Sequence, residues 1–451
     1  MSTHVAVVGG GLAGITAALR CADAGDRVTL LEARPRLGGL THSFARGELQ
    51  IDNGQHVFLR CCTAYLQLLH RLGVSGKVML QPRLDVAVCS PDGTMARLRR
   101  NRLPAPLHLA GSLARYSVLS PADRLRAVRG ALALRHVDAD DRATDAESFG
   151  AWLREHGQNA AITAALWDLI GVATLNARAP DASLALAAMV MQQGLLTDSA
   201  AGDIGWSLVP LQRLHGDAAL ACLGAAGVDV HTGAKVLDVH REGESWVIRR
   251  TGGAAKLADQ VVLAAPAPVA ESLAPAGSIA LPAGWAQRLG SSPIVNVHII
   301  FDRNVLTEPF IAGVRTPVQW VFDRTAAAGL REGQYLAVSL SAADGFIELT
   351  TEQLRRRILP ALMALLPAAG PARVLDFFVT KQPHATFAPA PGTAAWRPPN
   401  ATAAPGLALA GAWTATGWPA TMESAVRSGA AAAEVLLRAR QPAAAGGVRV
   451  G

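Results

Sequence analysis

The sequence predicts a doubly wound, Rossmann-like α/β domain that is discontinuous along the chain and interrupted by an inserted α+β domain. A short apolar strand, His4–Val8, leads through glycines into an Ala/Leu-rich helix, Leu12–Ala24. A second apolar strand, Arg27–Leu31, completes a βαβ unit of about 30 residues. Val-rich strand patterns return in the middle of the chain and near its end, so one domain would be assembled from separated segments.

The first turn carries the spacing of a dinucleotide site. Gly9-Gly10-Gly11-Leu12-Ala13-Gly14 fits G-x-G-x-x-G, in which the glycines permit a tight turn, close backbone approach to a pyrophosphate, and helix–strand packing. Glu32 ends the second strand, where a carboxylate accepts hydrogen bonds from an adenosine ribose. The pattern predicts a dinucleotide site whose contacts are Gly9, Gly11, Leu12, Ala13, Gly14 and Glu32.

The residues after Glu32 favour FAD over NAD. They read Ala33-Arg34-Pro35-Arg36-Leu37-Gly38-Gly39, and arginines with paired glycines beyond the second strand suit a longer ligand lying along this loop. A glutamate followed by R-x-x-x-G-G resembles the flavoprotein superfamily of amine oxidases and phytoene-type desaturases. The resemblance implies non-covalently bound FAD, contacted here by Ala33, Arg34, Gly38 and Gly39.

Two segments in the middle of the chain extend this resemblance. Gly233–Val239 looks like the family strand in which a valine, here Val236, contacts the adenine through its backbone. The sequence VVLAAP at 261–266 looks like the strand that closes the nucleotide-binding half. Both segments would return the chain to the domain opened by the first βαβ unit.

A C-terminal segment looks like the family's flavin-contacting strand and helix. Leu407–Ala410 predicts the strand and Ser424–Arg438 the helix, with Gly411 and Met422 as the implied flavin contacts. A helix N-terminus placed there would stabilise the negative charge of reduced flavin.

Five shorter stretches resemble a narrower group, the hydroxysqualene dehydroxylases, which are squalene-associated flavoproteins of bacterial hopanoid synthesis. They read IDNGQH, LPAPLHL, VPLQRLHGDAA, HATF and TGWPATMESAVRSG, at 51–56, 103–109, 209–219, 384–387 and 416–429. The resemblance implies that hydroxysqualene is reduced to squalene by hydride from N5 of reduced FAD. Lys381-Gln382-Pro383 stands where a more charged run is expected, so no role is assigned to Lys381.

The candidate catalytic residues are His56 and Asp52. Loss of an allylic hydroxyl requires its protonation, and His56 titrates near neutral pH, which makes it the first candidate for proton donor or relay. Asp52 would orient His56 or hold the loop. Gly54, Gln55 and His56 are also expected to contact the flavin. For Asp52 and His56 a purely structural role is the alternative.

The segments predict a discontinuous division into two domains. We expect an FAD-binding domain at 1–60, 205–290 and 385–440. The substrate domain would comprise 61–204 and 291–384, and 441–451 would be a disordered tail. Helical spacing predominates from about residue 60 to 200. Tryptophans of the inserts belong either to the core or to a substrate tunnel; they are Trp152, Trp167, Trp206, Trp285 and Trp320.

Positive charge is concentrated in one block. Residues 97–136 hold nine Arg, no Lys and one acid, Asp123, hence a net charge of +8, so the rest of the chain sums to about −1 against the total of +7. A single basic block interleaved with Leu, Ala, Pro and Tyr predicts a membrane-surface patch rather than a nucleic-acid site. A solvated helix face is the alternative.

Composition and termini predict a cytoplasmic protein peripheral to the inner face of the cell membrane. There is no apolar run of about 18 residues and no signal-peptide pattern before the first strand. The five cysteines match no zinc spacing, so we expect reduced thiols and no metal site. The expected partners are a hydrophobic C30 isoprenoid substrate and other enzymes of squalene synthesis.

Two alternative functions stay open on the same scaffold. One is an FAD-dependent desaturase or isomerase of polyprenoid chains, which the fold does not distinguish from a dehydroxylase because function depends on the site. The other is a non-catalytic lipid carrier, against which the intact glycine motif and Glu32 argue.

Overall fold

A computed structural model describes residues 2–440; the predicted tail at 441–451 lies outside the described residues. The strands are β1 (His4–Val8), β2 (Arg27–Leu31), β3 (Ser43–Arg46), β4 (Leu49–Asp52), β5 (Val57–Leu59), β6 (Val78–Leu80), β7 (Asp85–Cys89), β8 (Met95–Arg99), β9 (Ile204–Ser207), β10 (Asp229–His231), β11 (Val236–Glu242), β12 (Ser245–Arg250), β13 (Lys256–Ala258), β14 (Gln260–Leu263), β15 (Ser292–Phe301), β16 (Phe310–Gly313), β17 (Trp320–Asp323), β18 (Gln334–Leu340), β19 (Val374–Thr386) and β20 (Leu407–Leu409).

The α-helices are α1 (Leu12–Asp23), α2 (Thr63–Arg71), α3 (Ala110–Ala114), α4 (Pro121–Leu134), α5 (Arg142–Ala146), α6 (Phe149–Glu155), α7 (Ala160–Ile162), α8 (Asp168–Leu175), α9 (Leu184–Met191), α10 (Ala218–Ala225), α11 (Ala267–Leu273), α12 (Trp285–Leu289), α13 (Thr325–Ala328), α14 (Thr351–Leu365) and α15 (Met422–Arg438). Wider π-helical turns lie at Thr163–Trp167, Gln192–Leu196 and Gln212–Asp217.

A five-stranded parallel sheet is built from the start, middle and end of the chain. Its strand order is β10-β2-β1-β14-β20, and β1, at its centre, is buried along its whole length. Helices α1 and α15 pack so closely that a side chain at Gly429 would collide with the Ala13 carbonyl. The prediction of a discontinuous Rossmann-like α/β fold is confirmed.

A second sheet has seven strands of mixed direction, in the order β19-β15-β18-β17-β16-β7-β8. Along β15 the side chains alternate between its two faces. Val295 and Val297 pack in one core with Leu354 and Ile358 of α14. Asn296 lies on the other face, which is turned towards the loop that follows β4.

Helices α3 to α9 dominate residues 110–191, in line with the helical spacing there, but β6, β7 and β8 interrupt the stretch expected to be helical. The sequence of β7, DVAVC, is a short apolar run, and periodicity alone does not separate such a strand from a helix segment. Within residues 2–440 no helix combines the length and the apolarity needed to cross a membrane.

Candidate active site

The glycine turn after β1 has the shape that a bound pyrophosphate requires. Gly9 adopts a φ of +114°, and a side chain at Gly14 would collide with the Gly9 carbonyl. The N–H groups of Leu12 and Ala13 donate to no acceptor among the described residues, and the first turn of α1 holds no acidic residue. The turn therefore presents free donors and a positive helix end to an anionic ligand, as the motif predicts.

Glu32 organises the adjoining end of this cradle. Its buried carboxylate accepts hydrogen bonds from the Gly10 N–H at 2.6 Å and the Arg34 N–H at 2.7 Å. The Ala234 N–H donates to the Glu32 carbonyl at 2.8 Å, which holds the segment before Val236 beside it. The structure thus brings the Glu32–Arg34 corner and the Val236 strand together, although some 200 residues separate them.

The paired glycines close over the same turn. Gly38 donates its N–H to the Gly10 carbonyl at 2.8 Å, and Gly39, at a φ of +59°, packs against Gly11. A side chain on Gly39 would press on the Gly11 Cα at 3.1 Å. The residues present fit the dinucleotide half of FAD.

The loop after β4 is fastened to the seven-stranded sheet. Thr380 donates to the Asn53 carbonyl at 3.0 Å, and the Gln382 amide donates to the Asn53 side-chain oxygen at 2.8 Å. Gly54 packs against the Asn296 side chain, whose buried amide nitrogen and oxygen have no hydrogen-bond partner among residues 2–440. Sequence reasoning missed Asn296, because only the pairing of β15 with β19 places it here.

His56 is half-buried, and its tautomer is defined by one contact. Its Nδ1 lies 2.9 Å from the Gly54 carbonyl, which can only accept, so Nδ1 carries the proton. In neutral His56 the Nε2 atom is therefore an acceptor, and only the imidazolium can donate a proton from it. Burial lowers the pKa of His56, while the Gly54 carbonyl and the Asp52 charge oppose the shift.

Asp52 is a buried anchor with both carboxylate oxygens occupied. One oxygen accepts from the Ser43 hydroxyl at 2.7 Å and from the Leu211 N–H at 2.9 Å. The other forms an ion pair with Arg324 at 2.9 Å, and Arg324 also donates to the Ser207 carbonyl at 2.6 Å. These contacts join β3, β4, β9 and the start of α13.

A buried His–Tyr pair lies close to His56, and sequence reasoning missed it. The π-helical turn Gln212–Asp217 carries His215, whose Nε2 lies 2.8 Å from the Tyr65 hydroxyl. Burial lowers the pKa of His215 to about 3, with a smaller contribution from the positive form of His56. A π-helical turn is frequent at functional sites and has no simple sequence pattern.

The C-terminal segment reaches the same edge of the parallel sheet, because β1, β14 and β20 end side by side. Gly411 donates to the Ser428 hydroxyl at 2.9 Å, and a side chain on Gly411 would collide with Trp413. Met422 opens α15 and is half-buried. Glu423 in the next position accepts from the Tyr65 N–H at 2.7 Å, so it caps α2.

The sheet face beside Asn296 is aromatic. Ser339 stands opposite Asn296, and Trp320 stands opposite Ser339. Trp206 and Trp320 are half-buried on either side of Phe310, at 5.5 and 6.0 Å between ring centroids. The other tryptophans considered for a tunnel are core residues; they are Trp152, Trp167 and Trp285.

This fold and cradle define an FAD-dependent oxidoreductase. Residues 12–437 match the family described as flavin containing amine oxidoreductase, and the chain belongs to that family. The chain is similar to hydroxysqualene dehydroxylases of Zymomonas mobilis (27% identity, covering 96% of this chain and 99% of the relative) and Rhodopseudomonas palustris (28%; 97% and 99%). It is also similar to a zeta-carotene desaturase of Synechocystis (26%; 96% and 97%).

Solved structures agree on the fold. Cyclohexylamine oxidase from Brevibacterium oxydans superposes with a TM-score of 0.69 at 19% identity, covering 98% of this chain and 100% of that one. A triple mutant of putrescine oxidase gives a TM-score of 0.72 at 19% identity, covering 97% and 99%. At these identities the likeness shows the amine-oxidase-type fold alone.

Proposed function

We propose that this protein is an FAD-dependent reductive dehydroxylase that converts hydroxysqualene to squalene. The observation that carries the proposal is similarity over almost the whole chain to hydroxysqualene dehydroxylases, with a third relative in Sinorhizobium fredii at 27% identity over 97% of this chain. The free donors after β1 and the buried Glu32 support the cofactor that such a reaction needs.

The proposed cofactor contacts follow the geometry of the cradle. Free N–H groups of the glycine turn hold the pyrophosphate, Glu32 binds the adenosine ribose, and the Val236 backbone meets the adenine. Residues 54–56, together with Gly411 and Met422, would contact the isoalloxazine ring. Reduced FAD, when bound, supplies a hydride.

His56 is the proposed proton donor. The imidazolium gives its Nε2 proton to the allylic hydroxyl, and the C–O bond breaks with loss of water. The resulting allylic cation accepts the hydride. The Gly54 carbonyl fixes the ring so that Nε2 is the atom available for donation. Asp52 acts through the loop that it anchors and not as an acid, since both of its oxygens already accept hydrogen bonds.

The aromatic face around Trp206 and Trp320 suits a hydrocarbon substrate. Its rings exclude water from the cation, and their electron-rich faces stabilise positive charge. We place the substrate domain at 61–204 and 291–384, which includes Trp320 and most of the seven-stranded sheet.

Part of the basic block at 97–136 supports peripheral contact with the inner face of the cell membrane. Arg97 and Arg100 already form ion pairs with Asp85 and Asp203, which reduces their contribution to binding lipid phosphates. On α4, Leu125, Val128 and Leu132 share one face and are 54%, 37% and 45% exposed. We propose that this face of α4 enters the interface to reach a membrane-dissolved C30 substrate, near other enzymes of squalene synthesis.

Anaerobic product analysis tests the proposal. Chemically reduced enzyme incubated with hydroxysqualene is expected to form squalene, and the His56→Gln enzyme is expected to form it far more slowly. Absence of squalene from a flavin-loaded, fully reduced enzyme would reject the function.

A desaturase is the second candidate, favoured by the similarity to zeta-carotene desaturase. It requires oxidised FAD and removes hydride from a hydrocarbon chain instead of delivering it. Oxidised enzyme that introduces double bonds into a C30 or C40 polyprenoid would favour this candidate.

A further inference from the structure

A buried arginine beside the C-terminal segment has no carboxylate partner. Arg397 is 6% exposed, and its hydrogen-bond partners among residues 2–440 are carbonyl and hydroxyl oxygens, with no acidic oxygen among them. Asp145, the acid that acts on Arg397 from a distance, is itself held by Ser183 at 2.7 Å and by the Ala394 N–H at 2.9 Å. The guanidinium therefore forms no direct ion pair within the described chain, and Asp145 offsets its charge only from beyond ion-pair distance.

The side of the guanidinium that is bonded faces the loop between β20 and α15. Nη2 donates to the carbonyls of Thr414 at 2.6 Å and Trp418 at 2.8 Å, and to the Thr416 hydroxyl at 3.1 Å. The Phe387 ring covers it at 4.6 Å. Nε is buried without a partner, and Nη1 donates to no acceptor in the part of the chain that the structure describes.

The Arg397 guanidinium holds the loop that leads to a second source of positive charge, the N-terminus of α15. The loop that Arg397 holds runs from Gly411 to the N-terminus of α15, where backbone N–H groups carry the positive end of the helix dipole. Glu423 lies in this first turn, and its carboxylate is directed to the N-terminus of α2, where it accepts the Tyr65 N–H. Burial lowers the pKa of Arg397 to about 10, so the group stays cationic at neutral pH. Burying an unpaired charge is expensive, and an anionic ligand offsets that cost.

We propose that Arg397 is the fixed cation that stabilises the anionic, reduced form of FAD and raises its reduction potential. This inference rests on the proposed binding of FAD at Gly411 and Met422, but not on the identity of the substrate. A raised potential favours reduction of the cofactor by its electron donor. It does not prevent the proposed reaction, because an allylic cation is a strong hydride acceptor.

Substitutions that separate charge from packing test the inference. Arg397→Met removes the charge at similar length, and Arg397→Lys keeps it. The midpoint potential of bound FAD is measured by anaerobic equilibration with a reference dye. Arg397→Met is expected to disfavour reduction at least tenfold, about 30 mV for a two-electron couple. Arg397→Lys is expected to keep a potential close to that of the wild-type enzyme.

An Arg397→Met enzyme with the wild-type potential and a lower melting temperature would show that Arg397 acts only as a structural cross-link, and would overturn the inference. The wild-type enzyme provides a second test that does not depend on the folding of a variant. Its reduced flavin is expected to remain anionic at a lower pH than free reduced FAD titrated alongside, and equal titration would overturn the inference. A shifted potential in an enzyme that forms no squalene would support Arg397 while rejecting the substrate.

Discussion

Arg324 and Arg397 are both buried arginines that hold loops near the site, but their charges are balanced differently. Arg324 forms an ion pair with Asp52, and each side chain is less than a tenth exposed. Arg397 donates only to carbonyls and a hydroxyl. The first arrangement holds the His56 loop with a neutral pair, whereas the second holds the C-terminal loop with a cation that has no direct ion-pair partner among the described residues. The difference separates a structural role from an electrostatic one.

Breaking the paired arginine is expected to have the largest effect. Asp52→Ala leaves Arg324 buried without its counter-ion, and we expect a loss of about 3–5 kcal/mol in the free energy of unfolding. Replacing both residues, as Asp52→Ala with Arg324→Met, should recover part of this loss. Urea unfolding followed by fluorescence measures it. An Asp52→Ala enzyme that is inactive but fully stable would instead make Asp52 catalytic.

The loop that this pair anchors carries the proposed acid. His56→Gln keeps a side chain that can contact the Gly54 carbonyl but has no proton to donate, and we expect the rate of squalene formation to fall about 10²-fold or more. Single-turnover rates with pre-reduced enzyme measure the step directly. Unchanged rates would assign the proton to another group, and unchanged FAD content in the variant is the control.

Neutral buried histidines make stability depend on pH. His215 and His298 have pKa values of about 3 in the folded protein because burial disfavours their charged forms. Unfolded histidines gain protons below about pH 6.5, so the stabilisation is complete above that pH and is lost as pH falls towards 3. We expect a loss of about 1–2 kcal/mol per histidine between pH 6.5 and 5.

Denaturant unfolding at a series of pH values checks this expectation, and His215→Gln should make the dependence shallower. A free energy of unfolding that stays constant from pH 7 to pH 5 would contradict the neutral, buried state of both residues.

In the basic block the comparison is between a paired arginine and an exposed apolar face, and we expect the smallest effect there. Leu125→Asp with Leu132→Asp should weaken binding to anionic liposomes about tenfold or more, since both side chains lie on the exposed face of α4. Arg97→Gln is the control, because Arg97 is already paired with Asp85 and should change sedimentation little. Equal sedimentation of all three proteins would remove the membrane role from this block.

The predictable parts of the site are those that are local in sequence. The turn from Gly9 to Gly14 and Glu32 belong to one βαβ unit, so spacing alone specifies their chemistry. Asn296 and Arg397 carry no such pattern. Asn296 is placed by the register of β15 against β19, and the loop oxygens around Arg397 lie 17 to 21 residues further along the chain. Their environments arise from packing, which periodicity does not encode.

A single turnover in D₂O tests the central claim most directly. The N5 hydrogen of reduced flavin exchanges with solvent, so anaerobic enzyme reduced in D₂O and mixed with hydroxysqualene should form squalene carrying one deuterium. Oxidised flavin should appear in equal amount. Squalene without deuterium, or no squalene while the flavin stays reduced, would contradict hydride delivery from FAD to the carbon that loses the hydroxyl.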